Sequence, residues 1–151
     1  MRVFFSTILM AMVPVIELRG AIPFGVAAGI SVNQALVCAI IGNLIPIPFI
    51  LLFLRRVFVW MRKISTGFEN LVEKLELRAK RKKGIVDKYE IIGLIILVAI
   101  PLPGTGAWTG ALVATVLDIR MRRALPAITI GVIIAGILVS VITYGGFAVF
   151  G

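Results

Sequence analysis

Twice along this chain an apolar stretch too short to cross a bilayer runs into a break of proline, glycine or charge and then resumes. Val3 to Ile16 meets Glu17, Arg19, Gly20 and Pro23 before the apolar pattern returns as far as Ile30. Ile91 to Ile100 meets Pro101-Leu102-Pro103-Gly104-Thr105-Gly106 before Ala107 to Leu117. As helices these first arms measure about 21 Å at most, short of the roughly 30 Å of hydrocarbon in a bilayer. Each broken segment is followed by a turn and then by a stretch long enough to span, Ala35 to Leu54 and about Ala124 to Phe150, the first bent by Pro46 and Pro48. At 60% hydrophobic residues and a mean hydropathy of +1.11, the chain lies outside the range of soluble domains, which are about 45–50% apolar. The halves share an order of parts. Val13-Pro14 matches Ile100-Pro101, Gly20-Ala21 matches Gly106-Ala107, Gly25 matches Gly110, and Gly42 matches Gly131, as expected of a transporter built from internal repeats.

The charges choose between topologies. The net charge is +9, but the basic residues flank apolar blocks, where lysine and arginine set membrane orientation, so no nucleic-acid partner is expected. Of the 16, eleven lie in the hydrophilic region Arg55 to Glu90 and three in the turn Asp118 to Arg123, leaving Arg2 and Arg19. If each broken segment dips into the membrane and returns, region and turn share one face. If Ile91 to Leu117 crossed fully, they would lie on opposite faces, against the positive-inside tendency. The hairpin reading makes the linker cytoplasmic and turns both termini and the uncharged Ser31 to Gln34 turn outward. The hairpins then enter from opposite sides and their tips meet near the midplane. Within the linker, Thr66-Gly67-Phe68-Glu69 has the spacing of a capping box, and Phe68, Leu71, Val72 and Leu75 fall at helical intervals, as in an amphipathic surface helix ending at the basic run Arg78 to Lys83 and Gly84.

The expected fold is therefore an all-α integral membrane protein, an inverted repeat of re-entrant helical hairpin plus transmembrane helix, with a cytoplasmic amphipathic linker helix. Repeat one covers about residues 3–54, the linker about 55–90 and repeat two about 91–150. Met1 to Ala21 resembles a signal peptide, but Glu17-Leu18-Arg19-Gly20 stands where a small-residue cleavage site belongs, so the segment is read as retained. With no histidine and one cysteine, Cys38, inside an apolar run, the usual zinc sites, His-based triads and an intrachain disulfide are excluded. Neither an enzyme nor a cofactor or metal is expected.

Non-helical backbone at membrane depth needs shelter by protein or water, because each unsatisfied amide or carbonyl costs several kcal/mol in hydrocarbon. Two facing breaks thus imply a polar cavity. Glu17 and Arg19 are the only ionisable residues expected inside the core. Such groups pair or line a polar path, so Glu17 can exchange a proton and Arg19 can anchor an anionic group, or the two can form a salt bridge that holds the hairpin. Pro103 marks the second break, where Gly104, Thr105, Gly106 and Gly110 permit close backbone approach and Trp108 offers an aromatic surface for ligand or for packing. Asn43, one turn before the prolines, either faces the cavity or bonds to a neighbouring helix. Asp118, Arg120 and Arg123 form a cytoplasmic gate or lipid-phosphate contact, or are solvated topology determinants. Gly131, Gly136 and Ser140 supply small residues for helix packing.

With Glu17-Leu18-Arg19-Gly20-Ala21-Ile22-Pro23 in the first hairpin and Pro101-Leu102-Pro103-Gly104-Thr105-Gly106 in the second, the chain resembles, over nearly its full length, the prokaryotic family labelled putative small multidrug export proteins. That family is distantly similar to the DedA superfamily of lipid-carrier transporters and scramblase-like proteins with paired re-entrant hairpins. The resemblance implies a DedA-like transporter in the prokaryotic cytoplasmic membrane. Glu17 matches the first-hairpin glutamate of DedA proteins and Pro103-Gly104 their proline-glycine, but Gly106 and Trp108 stand where those proteins carry an arginine. The expected activity is that of a secondary transporter or lipid flippase, proton-coupled through Glu17, moving a charged or amphipathic solute or a lipid headgroup. The competing reading is a noncatalytic scaffold whose basic linker binds anionic lipid or a protein partner. Two spanning helices and two hairpins make a thin bundle, so self-association is also expected.

Overall fold

A computed structural model describes residues 1–64, 66, 67, 70, 73 and 83–145. Phe68 and Glu69 of the expected capping box, residues 78–82 of the basic run and the chain beyond Gly145 lie outside these residues, while Gly84, expected as a helix stop, is itself helical. The described chain is helical. Two stretches, Val32–Trp60 and Met121–Tyr144, are long and apolar enough to cross a membrane.

Helix α1 (Arg2–Met12) stops where Pro14 withdraws an amide donor, and after the short turn 13–16 helix α2 (Glu17–Ala27) returns against it. Thr7 in α1 and Gly25 in α2, about equally far from the turn, lie side by side, which defines an antiparallel helical hairpin. The break is thus earlier and shorter than the pattern of Glu17, Arg19, Gly20 and Pro23 suggests. Those four residues are all helical, and Pro23 is accommodated in mid-helix. Ser6 and Thr7 bond back to carbonyls one turn earlier, Thr7 to Val3 at 2.8 Å, so hydroxyls are satisfied inside an apolar arm. The arm ends at Gly29, whose φ of +98° suits a left-handed cap. There Ile30 donates to Gly25 and Gly29 to Val26, the paired bonds of a Schellman motif.

Ser31 then caps helix α3 (Val32–Leu44) through a capping box with Gln34, so the residues read as a polar turn are a helix start. Pro46 and Pro48 remove the donors that the Gly42 and Leu44 carbonyls would accept. The expected single bent helix is accordingly divided at Ile45–Pro46, and helix α4 (Ile47–Ile64) follows with Pro48 tolerated in its first turn. Helix α4 runs ten residues beyond Leu54 into the region assigned to the linker. Helix α5 (Lys83–Ala99) likewise begins eight residues before Ile91. Long basic side chains are good helix formers and can hold their charge away from apolar surface, so a change in polarity does not stop a helix.

The second half repeats the order. Helix α5 meets the break 100–106, helix α6 (Ala107–Val116) folds back, and after a turn helix α7 (Met121–Tyr144) runs the length of the bundle. Helix α6 ends on the same motif as α2, with Ile119 donating to Ala114 and Asp118, at φ +52°, donating to Thr115. Asp118 follows Gly29, Arg120 follows the N-cap Ser31 and Gly131 follows Gly42 by the same 89 residues. Contacts agree with that spacing: Gly42 lies on the Ile8 carbonyl and Ala11 of α1, and Gly131 on the Ile95 carbonyl and Val98 of α5. Gly25 and Gly110 each sit between the first arm and the long helix of their half, though one helical turn out of this register.

The halves join where Gly136 of α7 admits Leu36 and Ile40 of α3. The core is rich in alanine, with Ala11, Ala21, Ala35, Ala107, Ala111, Ala114 and Ala124 fully buried, and small residues let backbones approach closely. Large apolar side chains instead face outward, Phe49 at 70% and Phe53 at 66% exposure. Such a surface suits hydrocarbon and not water.

Candidate functional site

The tips of the two hairpins meet. Glu17, the first residue of α2, adopts φ +47°, a left-handed conformation that costs a non-glycine residue on the order of 1–3 kcal/mol and that surrounding contacts must hold. Its side chain is buried, at 5% exposure, and accepts the Trp108 amide at 3.3 Å. That amide belongs to the first turn of α6, where unpaired N–H groups and the helix dipole favour a carboxylate. Gly106, at φ +131°, lies flush against the carboxylate, and any Cβ there would overlap it. A glycine is therefore required both by backbone conformation and by contact.

Arg19, one half-turn further along α2, reaches the carbonyl side of the same break. Its guanidinium donates to the Leu102 carbonyl, to the Thr105 carbonyl at 2.7 Å and to the Thr105 hydroxyl at 2.8 Å. The Thr105 hydroxyl also accepts the Leu102 amide at 3.1 Å and lies within donating distance of the Ile100 and Leu102 carbonyls. These carbonyls lie outside the helical ladder; those of Ile100 and Leu102 accept the Leu102 and Thr105 amides at 2.9 and 3.1 Å, and the arginine fork adds a bond to Leu102 and one to Thr105. In place of a salt bridge within one hairpin, the acid and the base each engage backbone of the other hairpin, the acid its amide side and the base its carbonyl side.

A narrow cleft runs behind this contact, lined by Glu17, Arg19 and Gly106 on the tips, Asn43 of α3, Val98 of α5, and Val132 and Ala135 of α7. In this conformation it is too tight to admit a water molecule. Asn43 is fully buried, and neither its carboxamide oxygen nor its nitrogen has a hydrogen-bond partner. The interhelical bond expected of it is not made, while its position on the cleft wall is as expected. The Trp108 indole N–H is also buried without an acceptor. Buried polar groups left unpaired carry a penalty of about 1–3 kcal/mol each.

Of the residues singled out from sequence, Glu17, Arg19, Asn43, Thr105, Gly106 and Trp108 are brought together. Pro103 and Gly104 are exposed at the apex of the break, and a Cβ at Gly104 would meet nothing within 4 Å, so the close approach expected there occurs at Gly106 and Gly110 instead. Pro103 and Gly104 shape the turn, with Thr109 donating its hydroxyl to the Gly104 carbonyl at 2.9 Å. Asp118 and Arg120 are exposed on the turn between α6 and α7, and Arg123 in the first turn of α7, at the far end of α6 from the hairpin tips. Arg55 was not foreseen: from α4 it donates to the Ile119 carbonyl in that turn. The signal available was a lone arginine pair at the end of an apolar run, which orientation alone already explained.

A family model described as "Putative small multi-drug export protein" matches residues 17–138. The match opens on Glu17, just after the first hairpin's turn, and takes in α2, the second hairpin, every residue of the cleft wall and most of α7. No curated protein and no solved structure matches the chain.

Proposed function

This chain belongs to the family of putative small multi-drug export proteins, and from that premise, with two helices long and apolar enough to cross a membrane, we propose that it is a secondary transporter working by parting its two hairpin tips. The observation that carries this reading is the reciprocal contact of Glu17 with the Trp108 amide and of Arg19 with the Leu102 and Thr105 carbonyls, over a buried cleft holding an unpartnered Asn43. Every polar group in that contact is one that a solute can replace. A cationic group takes Glu17 and the break carbonyls, and an anionic one takes Arg19 and the α6 N-terminus. The cleft therefore suits a charged or amphipathic solute, or a lipid headgroup. Glu17, as the one carboxylate of the cleft, exchanges the coupling proton.

The corresponding contacts and shared 89-residue spacing support a repeat, which on this reading is an inverted pair of re-entrant hairpins similar to the DedA architecture, and the distribution of basic residues supports placing linker and Asp118 to Arg123 turn inside a prokaryotic cytoplasmic membrane and the termini outside. Cysteines introduced at Lys63 and Arg122 should then react with an impermeant thiol reagent from the same side. Labelling from opposite sides removes the re-entrant topology.

Transport is tested in proteoliposomes by movement of a fluorescent amphipathic cation driven by a pH gradient. Glu17→Gln keeps the acceptor for the Trp108 amide, so it should abolish transport while leaving the unfolding free energy within about 1 kcal/mol of the parent. Unaltered transport by this variant excludes Glu17 from the mechanism.

A further inference from the structure

On the outer face of α4 is a second feature, remote in sequence from the hairpin tips and unused by the transport reading. Arg55, Arg56, Val59, Trp60 and Lys63 line an open groove of about 300 Å³. At helical spacing the five fall within about 140° of one another around the axis, over a rise of about 12 Å. All the titratable groups of this wall are cations. Between them stand two apolar side chains that are more than half exposed, Val59 at 55% and Trp60 at 64%. The groove closes the apolar span Val32–Trp60, which is the level at which tryptophan and basic residues meet the headgroup layer.

A solvated basic face has no use for an exposed indole beside its charges, and an apolar lipid-facing patch has none for three cations. A ligand that satisfies both must be amphipathic and anionic. Arg55 shows the capacity directly. One of its terminal nitrogens is spent on the Ile119 carbonyl, while its Nε is buried with no acceptor. We propose that this groove is a binding site for an acidic phospholipid, with the phosphodiester held by Arg56, Lys63 and the remaining donors of Arg55, and the glycerol and first methylenes against Val59 and Trp60. The site rests on α4 crossing the membrane and not on transport by the hairpin cleft.

The test uses the full chain in detergent micelles supplied with phosphatidylglycerol or phosphatidylcholine, with retained lipid counted by native mass spectrometry. The parent should retain phosphatidylglycerol in preference to phosphatidylcholine. Arg56 and Lys63 are exposed, so Arg56→Gln with Lys63→Gln should leave the fold intact and weaken phosphatidylglycerol retention roughly thirtyfold. Trp60→Ala, with all three cations in place, should weaken it several-fold. Equal retention of the two lipids, or full retention by the double variant, overturns the site. Full retention by Trp60→Ala reduces it to diffuse charge attraction and also overturns it. Displacement of the lipid by inorganic phosphate or glycerol phosphate shows a soluble-anion site instead.

Discussion

Where the first hairpin turns in four residues and contributes side chains, the second turns in seven and contributes backbone. Residues 13–16 make a tight, apolar connection with Val15 almost fully exposed, and the chemistry begins only after it, on Glu17 at the left-handed start of α2 and on Arg19 within it. Residues 100–106 hold two prolines, two glycines and a threonine whose hydroxyl ties the loop together, and their contribution is freed carbonyls and the amides that open α6. The halves share scaffold contacts down to the glycines at which long helix meets first arm, yet their tips have become complementary instead of alike. Here charged side chains stand on one tip only, and the other answers with dipoles.

This division can be broken most severely at Gly106. Gly106→Ala must place a Cβ on the Glu17 carboxylate and hold alanine at φ +131°, and is expected to lower the unfolding free energy by about 4 kcal/mol. Gly20→Ala, on the other tip, meets only the Ile16 side chain at 2.5 Å and should lower it by about 1 kcal/mol. Denaturant unfolding in micelles measures both, and equal effects would mean that the tips are not differentiated. Next come the shared contacts. Gly42→Ala and Gly131→Ala each push a methyl into the first arm of their own half, so both should destabilise by about 2 kcal/mol, and a difference above about 1.5 kcal/mol would separate the halves that the common spacing unites. The smallest effect is the most specific. In a double-mutant cycle, Arg19→Gln and Thr105→Val should couple by about 1 kcal/mol, because each removes the other's partner, and additive effects would deny the bond between the tips.

Much of this architecture is local, and local pattern predicts it. The order of short arm, break, short arm, turn and long helix follows from where prolines and glycines interrupt apolar runs. Gly42 and Gly131 could be matched from sequence because each stands at the same remove from the turn before it. Helix ends were less legible. Helix α4 continues to Ile64 and α5 starts at Lys83 because basic residues do not terminate a helix, and Pro23 does not end α2 because its neighbours hold the ladder on either side. The site was half legible: Glu17 and Arg19 draw attention as charges in an apolar setting, but their spacing suggested a pair within one hairpin.

By its own pattern of hydrophobicity, breaks and charge, the chain determines an apolar helical protein with two stretches long enough to cross a membrane and with its breaks at prolines and glycines. Only the tertiary structure decides that Glu17 faces Trp108, that Arg19 faces Leu102 and Thr105, and that Gly104 stays outside while Gly106 closes the contact. Periodicity is a property of neighbours along the chain, whereas the choice of partner for a buried charge is made among groups more than eighty residues away. It is set by which backbone donors and acceptors the packed helices leave unpaired.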